Sequence, residues 1–413
     1  MPRVAILFDN FGPYHLTRLR AAAGVCEVLA VEFGSSSSEY EWKASESTGL
    51  KRVALNDRGP SHDLSPEEFQ TRLFKVLDEY QPDVLVVPGW GYRGALIGLQ
   101  WGALHRVPII CMSESTQWDE ARSPIKEWIK RRIISLFSAA LVGGTPHRDY
   151  MEELGMPRDR IFLGYDAVDN RFFAEEARKI GVRRWEMGGG KQPCFLASAR
   201  FIEKKNLPRL LRAYARYRKA VESRGSRVES MDSGFRSQVS SPQDPFDLIL
   251  LGDGALRSDL SRLISDLGID RHVQMPGFKQ YEELPSYYAS AGVFIHASTT
   301  EQWGLVVNEA MASGLPVLVS NRCGCATDLV KDGENGWTFD PADEGQLADL
   351  MMRVSSDEDG RLKMGERSRE IIAEWGPDRF ASGISSAIDA ALSAPRKKAG
   401  LLDRLILWAM TRR

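Results

Sequence analysis

The sequence predicts an α/β protein built from two successive units, each organised around a parallel β-sheet. The 413-residue chain is too long for one hydrophobic core and suits two domains of roughly 150–200 residues. Short apolar runs alternate with longer amphipathic runs, which is the pattern of repeated strand–helix units. This pattern starts again near the middle of the chain. Two series of this size indicate two sheets rather than one very large sheet.

Ten short apolar runs are predicted to form the buried strands of these sheets. In the first half they cover residues 4–8, 28–31, 84–87, 109–112 and 139–142, with helices over 67–80 and 148–154 among the connections. In the second half they cover residues 194–197, 248–251, 273–275, 293–296 and 317–320.

The same pattern gives the predicted domain boundaries. We expect a first domain over residues 1–175, a linker over 176–191, a second domain over 192–375 and a C-terminal helical segment over 376–413. The predicted linker contains three consecutive glycines at 188–190 in a polar stretch. Residues 222–244 are rich in Ser and poor in apolar side chains, so a solvated loop is expected there, with a recognition loop as the alternative.

Composition narrows the class of protein. The formal charge of −2 lacks the basic excess that neutralises nucleic-acid phosphates, so no nucleic-acid partner is expected. The five cysteines are few, odd in number and scattered, which argues against a disulfide framework and fits a reducing cytoplasm. The first residues form a short apolar run ending in an acid, unlike a secretory signal, and no run reaches the 18 or so apolar residues of a membrane span.

The most informative segment, residues 298–316, reads STTEQWGLVVNEAMASGLP and follows a predicted strand. A loop is expected to open into a short helix near Gly304, which ends at Gly314. The first helical turn presents unpaired backbone N–H groups that suit a phosphate, and Gly304 lets a ligand approach the backbone.

Two glutamates, Glu301 and Glu309, bracket this segment. On a continuous helix they would lie about 12 Å apart along the axis. That separation suits a diphosphate-linked donor with sugar hydroxyls at one end and ribose hydroxyls at the other, because carboxylates bind hydroxyl groups well. The spacing alone fits equally two solvated glutamates around an ordinary helix.

A basic loop forms the second candidate feature. Arg200 and Lys205 follow the predicted strand at 194–197, at the start of the next helix, where anions are favoured. The forked guanidinium and the compact ammonium group suit a diphosphate, although a solvated basic turn is the alternative. Both features follow strands of the same half, at the sheet edge where open α/β sheets bind ligands.

In order along the chain, these features resemble the nucleotide-sugar-binding lobe of family 4 glycosyltransferases, which have the GT-B fold. The resemblance is carried by Arg200 and Lys205, LGDG at 251–254, VQMPGF at 273–278, Glu301 and Glu309, GLPV at 314–317 and DLVKDGENG at 328–336. In the first half it is weaker and rests on Gly12 and on GYDAVDNRF at 164–172. The resemblance implies two Rossmann-like domains that face each other across a cleft, the first on the acceptor side and the second holding the donor.

The resemblance also implies an activity and a set of site residues. The protein would be a retaining glycosyltransferase that moves a sugar from a nucleotide-diphosphate-sugar donor to a saccharide or lipid-linked acceptor, with no metal or other cofactor. Arg200 and Lys205 would neutralise the leaving diphosphate, Glu301 would lie beside the transferred sugar, and Glu309 would hold the ribose. The remaining donor contacts would come from Gln302, Trp303, Gly304 and Leu305 for sugar and phosphate, Met275 and Gly277 for the base, and Gly12 for the phosphates.

The chain departs from the family pattern at three places. Asn206 follows the lysine where relatives often have Gly, and Pro13 follows Gly12 where a second Gly is usual. The region 111–115 lacks the first-domain histidine that contacts the donor sugar in many relatives. Glu114 and His15 are the candidates for that contact, with a surface glutamate and a structural histidine as the alternatives. Cys323 and Cys325 lack further ligands at matching spacing, so no metal site is predicted.

Two basic amphipathic segments, 124–137 and 397–413, combine Lys and Arg with Leu, Ile and Trp, a composition that suits an anionic membrane surface. Packing on the first domain is the alternative for the former, and packing across the cleft for the latter. We therefore expect a cytoplasmic protein, peripheral at the cytoplasmic membrane face, that assembles a polysaccharide or glycolipid. A catalytically degenerate sugar-nucleotide-binding scaffold and a GT-B sugar-nucleotide epimerase are the alternative functions.

Overall fold

A computed structural model of the chain describes residues 1–35, 49–186, 193–229 and 245–412. The chain divides into two compact units. The first unit comprises Met1–Asp169 and Trp375–Arg413, and the second comprises Asn170–Glu374. Each unit has its own sheet, so the prediction of two α/β units is confirmed.

The first unit contains seven parallel strands in the order β3-β2-β1-β4-β5-β6-β7. They are β1 (Arg3–Phe8), β2 (Glu27–Gly34), β3 (Lys51–Asn56), β4 (Val84–Pro88), β5 (Ile109–Ser113), β6 (Ala139–Val142) and β7 (Ile161–Leu163). The helices are α1 (Pro13–Ala23), α2 (Pro66–Tyr80), α3 (Arg93–His105), α4 (Pro124–Ile134) and α5 (Thr145–Glu153), joined from the end of the chain by α14 (Pro377–Ser393) and α15 (Leu401–Thr411).

Helices cover both faces of this sheet, which is why its central strands are apolar along their whole length. Successive side chains point to opposite faces. Leu7 and Val87 pack with residues of α2, α3 and α15, whereas Ile6 and Val86 pack with residues of α1 and α14. The unpredicted strands β3 and β7 are the two edge strands, and β3 carries polar residues that weaken the apolar signal.

The second unit contains six parallel strands in the order β10-β9-β8-β11-β12-β13. They are β8 (Cys194–Ser198), β9 (Asp247–Leu251), β10 (Val273–Gly277), β11 (Ala291–His296), β12 (Val317–Ser320) and β13 (Gly336–Phe339). The helices are α6 (Asn170–Glu186), α7 (Leu207–Glu229), α8 (Arg257–Asp266), α9 (Leu284–Ser290), α10 (Leu305–Ala312), α11 (Ala326–Leu329), α12 (Glu344–Ser355) and α13 (Glu358–Ala373).

Each sheet has a point at which the strand order reverses direction. In the first unit it lies between β1 and β4, and in the second between β8 and β11. Beyond the carboxyl ends of these strand pairs the connections diverge to opposite sides, which leaves a crevice where open α/β sheets bind ligands. The basic loop after β8 and the glutamate loop after β11 therefore belong to the crevice of the second unit.

The ends of the predicted domains differ from the compact units. Helix α6 occupies the predicted linker up to Glu186, and the glycines at 188–190 lie outside the described residues. Residues 376–413, predicted as a separate segment, belong with the first unit. Helix α14 packs against α1, β6 and β7, and α15 packs against α3 and α4, because both helices bury apolar side chains in the first-unit core.

Two further predictions are corrected. The loop predicted from residue 222 is helical as far as Glu229, because Val221 packs against the core and Arg218 pairs with Glu222 at 3.1 Å one turn later; residues 230–244 lie outside the described part of the chain. The helix predicted over 148–154 begins at Thr145, where the backbone N–H of Gly144 donates to Nδ1 of His147.

Candidate functional site

The loops after β8 and β11 meet at the crevice of the second unit. Lys205 ends a short 3₁₀ turn, Glu203–Lys205, and Glu301 lies five residues beyond the end of β11. The backbone N–H of Thr299 donates to the carbonyl oxygen of Lys204 at 2.8 Å, which ties the two loops together. The architecture thus brings together two residues that are 96 positions apart in the sequence.

Glu301 is the centre of a polar group that we call the Glu301 cluster: Lys204, Lys205, His296, Ser298 and Glu301. The ammonium group of Lys205 donates a close hydrogen bond to Oε2 of Glu301. Ser298 Oγ donates to the same oxygen at 3.2 Å, and His296 Nε2 lies 3.4 Å from it. Lys204 Nζ approaches Oε1 at 3.8 Å. The side chains of Lys205 and Glu301 are each only 12% exposed, so their charges meet in a partly desolvated environment.

The cluster keeps Glu301 ionised. Burial alone would raise the pKa of this carboxyl, but the hydrogen bond from His296 and the charges of Lys205 and Lys204 hold its pKa well below the usual range. The pKa of His296 is lowered, first by burial and then by the charge of Lys205. The lowered pKa favours the neutral imidazole, and the tautomer that carries its proton on Nε2 can donate to Glu301.

His296 is a member of this cluster that sequence reasoning missed. It is the last residue of β11, is buried, and stacks on Phe294 with an interplanar angle of 12°. A histidine at the carboxyl end of the apolar run VFIH was the available signal. The apolar run predicts only a buried strand, whereas the side chain at its last position contacts the crevice loop at Glu301.

Asn206 explains one departure from the family pattern. Its φ of 57° lies in the left-handed region, where Gly and Asn are the best tolerated residues. Its buried side-chain amide donates to the carbonyl oxygens of Ala297 at 3.0 Å and Pro341 at 2.8 Å. Asn206 therefore supplies the backbone shape that Gly would give and also fastens the Lys205 turn to two neighbouring loops.

Arg200 lies on the same loop, two residues beyond the end of β8, and is half-buried. The LGDG turn holds this loop in place, since the N–H of Phe201 donates to the carbonyl oxygen of Asp253 at 2.7 Å. A Cβ at Gly252 would lie 2.0 Å from the carbonyl oxygen of Ala199, so only glycine fits there. The predicted approach of Arg200 and Lys205 to one anion remains a prediction.

Glu309 lies apart from the Glu301 cluster, on α10. Its side chain is fully buried, and its Oε2 accepts a hydrogen bond of 2.5 Å from the hydroxyl of Tyr288. Trp303 is also buried, with its indole N–H donating to Asn308 at 2.9 Å. The continuous-helix spacing of the two glutamates does not apply, because the helix begins only at Leu305. Any contact of Trp303 with a donor is therefore left to its backbone.

Gly304 and Gly277 have positive φ angles, and the absence of a side chain at each lets a ligand approach the backbone. Gly304 has φ of 105° and precedes α10 as predicted, and a Cβ there would lie 3.4 Å from His296 Nε2. Gly277 ends β10 with φ of 86° and accepts a hydrogen bond from the N–H of Gly252 at 3.1 Å. Met275 is half-buried and its carbonyl oxygen accepts from Arg257 at 3.0 Å. Gln302 is exposed.

The crevice edge of the first unit has a different character. Gly12 precedes α1, and its N–H donates to Nδ1 of His15 at 3.1 Å. Burial, and then the charge of Arg18, lowers the pKa of His15 to about 3, so this ring is neutral. Glu114 follows β5 and lies close to the buried Asp166. Burial and then the charge of Glu114 raise the pKa of Asp166 well above its usual range, against the opposing charge of Arg18 at 3.4 Å.

Among the described residues, no group of three or more His, Cys, Asp and Glu side chains is arranged to hold a metal ion. Cys323 and Cys325 are buried thiols without a disulfide. Burial raises the pKa of Cys323 far above its usual range, which keeps its sulfur protonated.

Comparison with known proteins gives two family matches and several relatives. The profile described as "Glycosyl transferases group 1" matches residues 188–371, and the "Glycosyl transferase 4-like domain" matches residues 14–164. The alpha-D-kanosaminyltransferase of Streptomyces kanamyceticus is 26% identical over 65% of this chain and 64% of its own. A GDP-mannose-dependent alpha-(1-6)-phosphatidylinositol monomannoside mannosyltransferase of Mycobacterium tuberculosis is 26% identical over 52% of each chain. The similarity thus spans roughly half to two thirds of these curated relatives.

Solved structures show the same architecture. The crystal structure of Anabaena HepE in complex with UDP superimposes with a TM-score of 0.69, covering 94% of this chain and 100% of that one. The sequences are 17% identical, so this likeness concerns the fold.

Proposed function

Because the chain belongs to family 4 of the glycosyltransferases and has their GT-B architecture, we propose that it is a retaining glycosyltransferase that uses a nucleotide-diphosphate-sugar donor. The acceptor would be a saccharide or a lipid-linked sugar in polysaccharide or glycolipid assembly. The observation that carries the proposal is the Glu301 cluster at the point where the second sheet reverses its strand order. There the largely buried ammonium group of Lys205 contacts a carboxylate that stays ionised.

The role proposed for Lys205 follows from its surroundings. Glu301 fixes the position of the Lys205 ammonium group before any ligand binds. This group therefore needs little reorganisation when negative charge develops nearby. In sugar transfer that charge develops on the departing diphosphate. Lys205, with Arg200 on the same loop, would stabilise this leaving group, while Glu301 would remain beside the transferred ring. Fixed cations of this kind take the place of a divalent metal, and we expect a chelator to leave turnover unchanged.

The ribose role proposed for Glu309 depends on how Tyr288 holds it. Tyr288 donates to Oε2, and burial followed by the charge of Glu309 raises the pKa of Tyr288 well above its usual range, so the phenol keeps its proton. This hydrogen bond orients the carboxylate that would bind the ribose. A carboxylate oxygen accepts hydroxyl hydrogen bonds in the ground state as well as in the transition state, so Glu309 would serve binding more than turnover.

A peripheral position at the cytoplasmic membrane face forms the second part of the proposal. The predicted segments form α4 and α15, and α15 packs against α3 and α4 of the first unit. Both carry exposed apolar side chains, Ile125 and Trp128 on α4 and four residues on α15. Among the described residues, no helix combines the length and apolar character needed to cross a membrane. The mycobacterial relative, by its name, acts on a lipid-linked mannoside.

A feature of the first unit favours an alternative function, a non-catalytic scaffold that binds sugar nucleotides. The first unit lacks a histidine in the region 111–115, and its nearby His15 uses Nδ1 to accept from Gly12. A scaffold that binds sugar nucleotides without turning them over would fit that departure. Release of nucleoside diphosphate from a donor would exclude this scaffold.

The test is a panel of UDP-, GDP- and ADP-linked sugars, with nucleoside diphosphate release measured with and without candidate acceptors, and product configuration determined by NMR. With the accepted donor, Arg200→Ala should lower kcat about a hundredfold, the scale of one lost electrostatic contact to the transition state. Glu309→Ala should instead raise KM for the donor with a smaller change in kcat. Arg271→Ala, which removes an exposed arginine after α8, is the matched control. Near wild-type kcat in a folded Arg200→Ala variant would contradict the diphosphate assignment.

A further inference from the structure

Helix α15 is apolar on both of its sides. Its inner side places Leu407 in the core of the first unit, and Asp403 pairs with Arg132 of α4 at 2.6 Å. On its outer side Leu401, Leu405 and Trp408 are 87%, 60% and 53% exposed. Single exposed leucines are common, but a row of large apolar side chains on one helix marks an interaction surface. We call Leu401, Leu402, Leu405 and Trp408 the α15 surface.

A cavity of about 290 Å³ lies beneath one end of this surface, between α2, α3 and α15. The apolar part of its wall includes Phe74 of α2, Ile97 of α3 and Leu407 of α15. Leu104 and Trp408 also line the cavity and are exposed, so they mark the side on which it opens. The mouth of the cavity therefore belongs to the apolar surface around α15.

Two guanidinium groups stand at this mouth. Arg412 lies 3.6 Å from Glu67 and 4.6 Å from the ring centre of Trp408. Arg404 also lines the cavity and is exposed, and it has no acidic side chain within ion-pair distance among the described residues. Guanidinium groups bind phosphate oxygens through paired N–H donors. The two guanidinium groups outnumber the single carboxylate, that of Glu67, which also lines the cavity. The mouth is therefore net cationic and suits a phosphate, while the apolar wall suits hydrocarbon.

We propose that this cavity binds a single anionic phospholipid of the bilayer, with its phosphate on Arg404 and Arg412 and an acyl chain along Phe74, Ile97 and Leu407. The inference rests on the membrane part of the proposed function and gives it a specific ligand. The surrounding charge agrees, because Arg131, Lys397 and Lys398 have no ion pair in the described part of the chain. Unpaired cations around a Leu and Trp surface favour an anionic bilayer over a neutral protein partner.

The first test separates the cavity from general surface charge. Monomeric dihexanoylphosphatidylglycerol, below its micelle concentration, is titrated into the full chain by calorimetry. Arg404→Ala should weaken binding about tenfold or more, the effect of one lost charge-assisted hydrogen bond. Arg396→Ala is the matched control, because it removes the same charge from an exposed residue near α15 that does not line the cavity. It should change the Kd less than about twofold.

The ligand specificity follows from the same titration. Dihexanoylphosphatidylcholine and inorganic phosphate should each bind at least about tenfold more weakly, since one lacks the net negative charge and the other the acyl chains. Gln70→Trp adds bulk at an exposed cavity-lining position of α2 and should abolish phosphatidylglycerol binding without removing charge. Sedimentation with phosphatidylglycerol vesicles should persist in this variant, because the α15 surface and its cations are intact.

Several outcomes would overturn the inference. One is that the short-chain lipid does not bind, and another is that the two lipids bind equally well. A third is that Arg404→Ala and Arg396→Ala lose equal affinity for dihexanoylphosphatidylglycerol. Formation of concentration-dependent dimers that bury the α15 surface would also overturn it. Preferential binding of a lipid-linked sugar over phosphatidylglycerol would assign the cavity to the acceptor instead and also contradict it. Donor hydrolysis is measured on the same preparations. Hydrolysis without phospholipid binding contradicts the cavity assignment alone, whereas phospholipid binding without hydrolysis contradicts the transferase proposal alone.

Discussion

The crevice edges of the two sheets share a topology, but the pKa values of their buried carboxyl groups are shifted in opposite directions. In the second unit, Lys205 and His296 keep Glu301 ionised and its pKa far below the usual range. In the first unit, burial and Glu114 raise the pKa of Asp166, and burial lowers the pKa of His15 to about 3. The second edge thus favours an ionised carboxylate, whereas at the first edge burial favours the neutral forms of Asp166 and His15 beside the buried guanidinium of Arg18. The parallel sheet therefore fixes where a site forms, while the loop side chains decide which chemistry it performs.

The largest expected effect tests the second edge against the first. Glu301→Gln preserves shape but removes the charge that orients Lys205, and kcat should fall about a hundredfold, the scale of one transition-state contact. Asp166→Asn in the first unit replaces a carboxyl of raised pKa by a neutral amide, and kcat should fall less than about tenfold. Both are measured by nucleoside diphosphate release from the accepted donor, with circular dichroism as the folding control. A larger loss in Asp166→Asn than in Glu301→Gln would reverse the comparison.

A moderate effect on stability is expected at Asn206. Asn206→Gly keeps the left-handed backbone but loses the hydrogen bonds to Ala297 and Pro341, which should lower the free energy of unfolding by about 1–3 kcal/mol. Asn206→Ala loses the same bonds and adds about 1–2 kcal/mol of backbone strain. Denaturant titration should therefore rank wild type above Asn206→Gly and Asn206→Ala last. Equal stability of the two variants would show that the backbone conformation contributes nothing.

Most of the fold could be predicted from the sequence, for a physical reason. All ten predicted strands occur, because strands covered on both faces must be apolar along their length. The strands that escaped prediction, β3, β7 and β13, are all edge strands, where polar residues and short runs are tolerated. The helix over residues 222–229 was missed because its core contact and ion pair are made through Val221 and Arg218, upstream of the Ser-rich stretch.

The sequence predicted which loops form the site but not the contacts between their side chains. The order of motifs brought Lys205 and Glu301 to one sheet edge, but no local pattern shows that their side chains pair directly. Glu309 is fully buried and hydrogen-bonded to Tyr288 of α9, a contact between separate elements that no sequence pattern indicates. His296 was missed for a related reason, since a polar residue at the end of an apolar strand has no periodicity of its own.

The smallest expected effect is a pair of opposite pH dependences of stability. A carboxyl of lowered pKa contributes stability that is present above its unfolded-state pKa of about 4.3 and is lost as pH falls through the folded-state pKa. The difference in Tm between wild type and Glu301→Gln should therefore be constant from pH 7 to about pH 4 and shrink only below that. Asp166 has a raised pKa, so its contribution is full below about pH 4 and declines as pH rises toward the folded-state pKa.

Scanning calorimetry of wild type, Glu301→Gln and Asp166→Asn between pH 3 and pH 8 measures both differences. The Tm of wild type should fall relative to that of Asp166→Asn as the pH rises from about 4. The difference in Tm between wild type and Glu301→Gln should stay constant over the same range. Parallel pH profiles of the two differences would remove the contrast between the crevice edges.

The central claim is that Lys205, held by Glu301, stabilises a departing diphosphate, and its neighbour Lys204 provides the control. Lys204 is 36% exposed and 3.8 Å from Glu301, whereas Lys205 is 12% exposed and in direct contact. The decisive measurement is kcat for nucleoside diphosphate release by the two folded alanine variants. Lys205→Ala should lose about a hundredfold or more, and Lys204→Ala less than about fivefold, the scale of an exposed ion pair. Equal losses in the two variants, or near wild-type kcat in Lys205→Ala, would contradict this account.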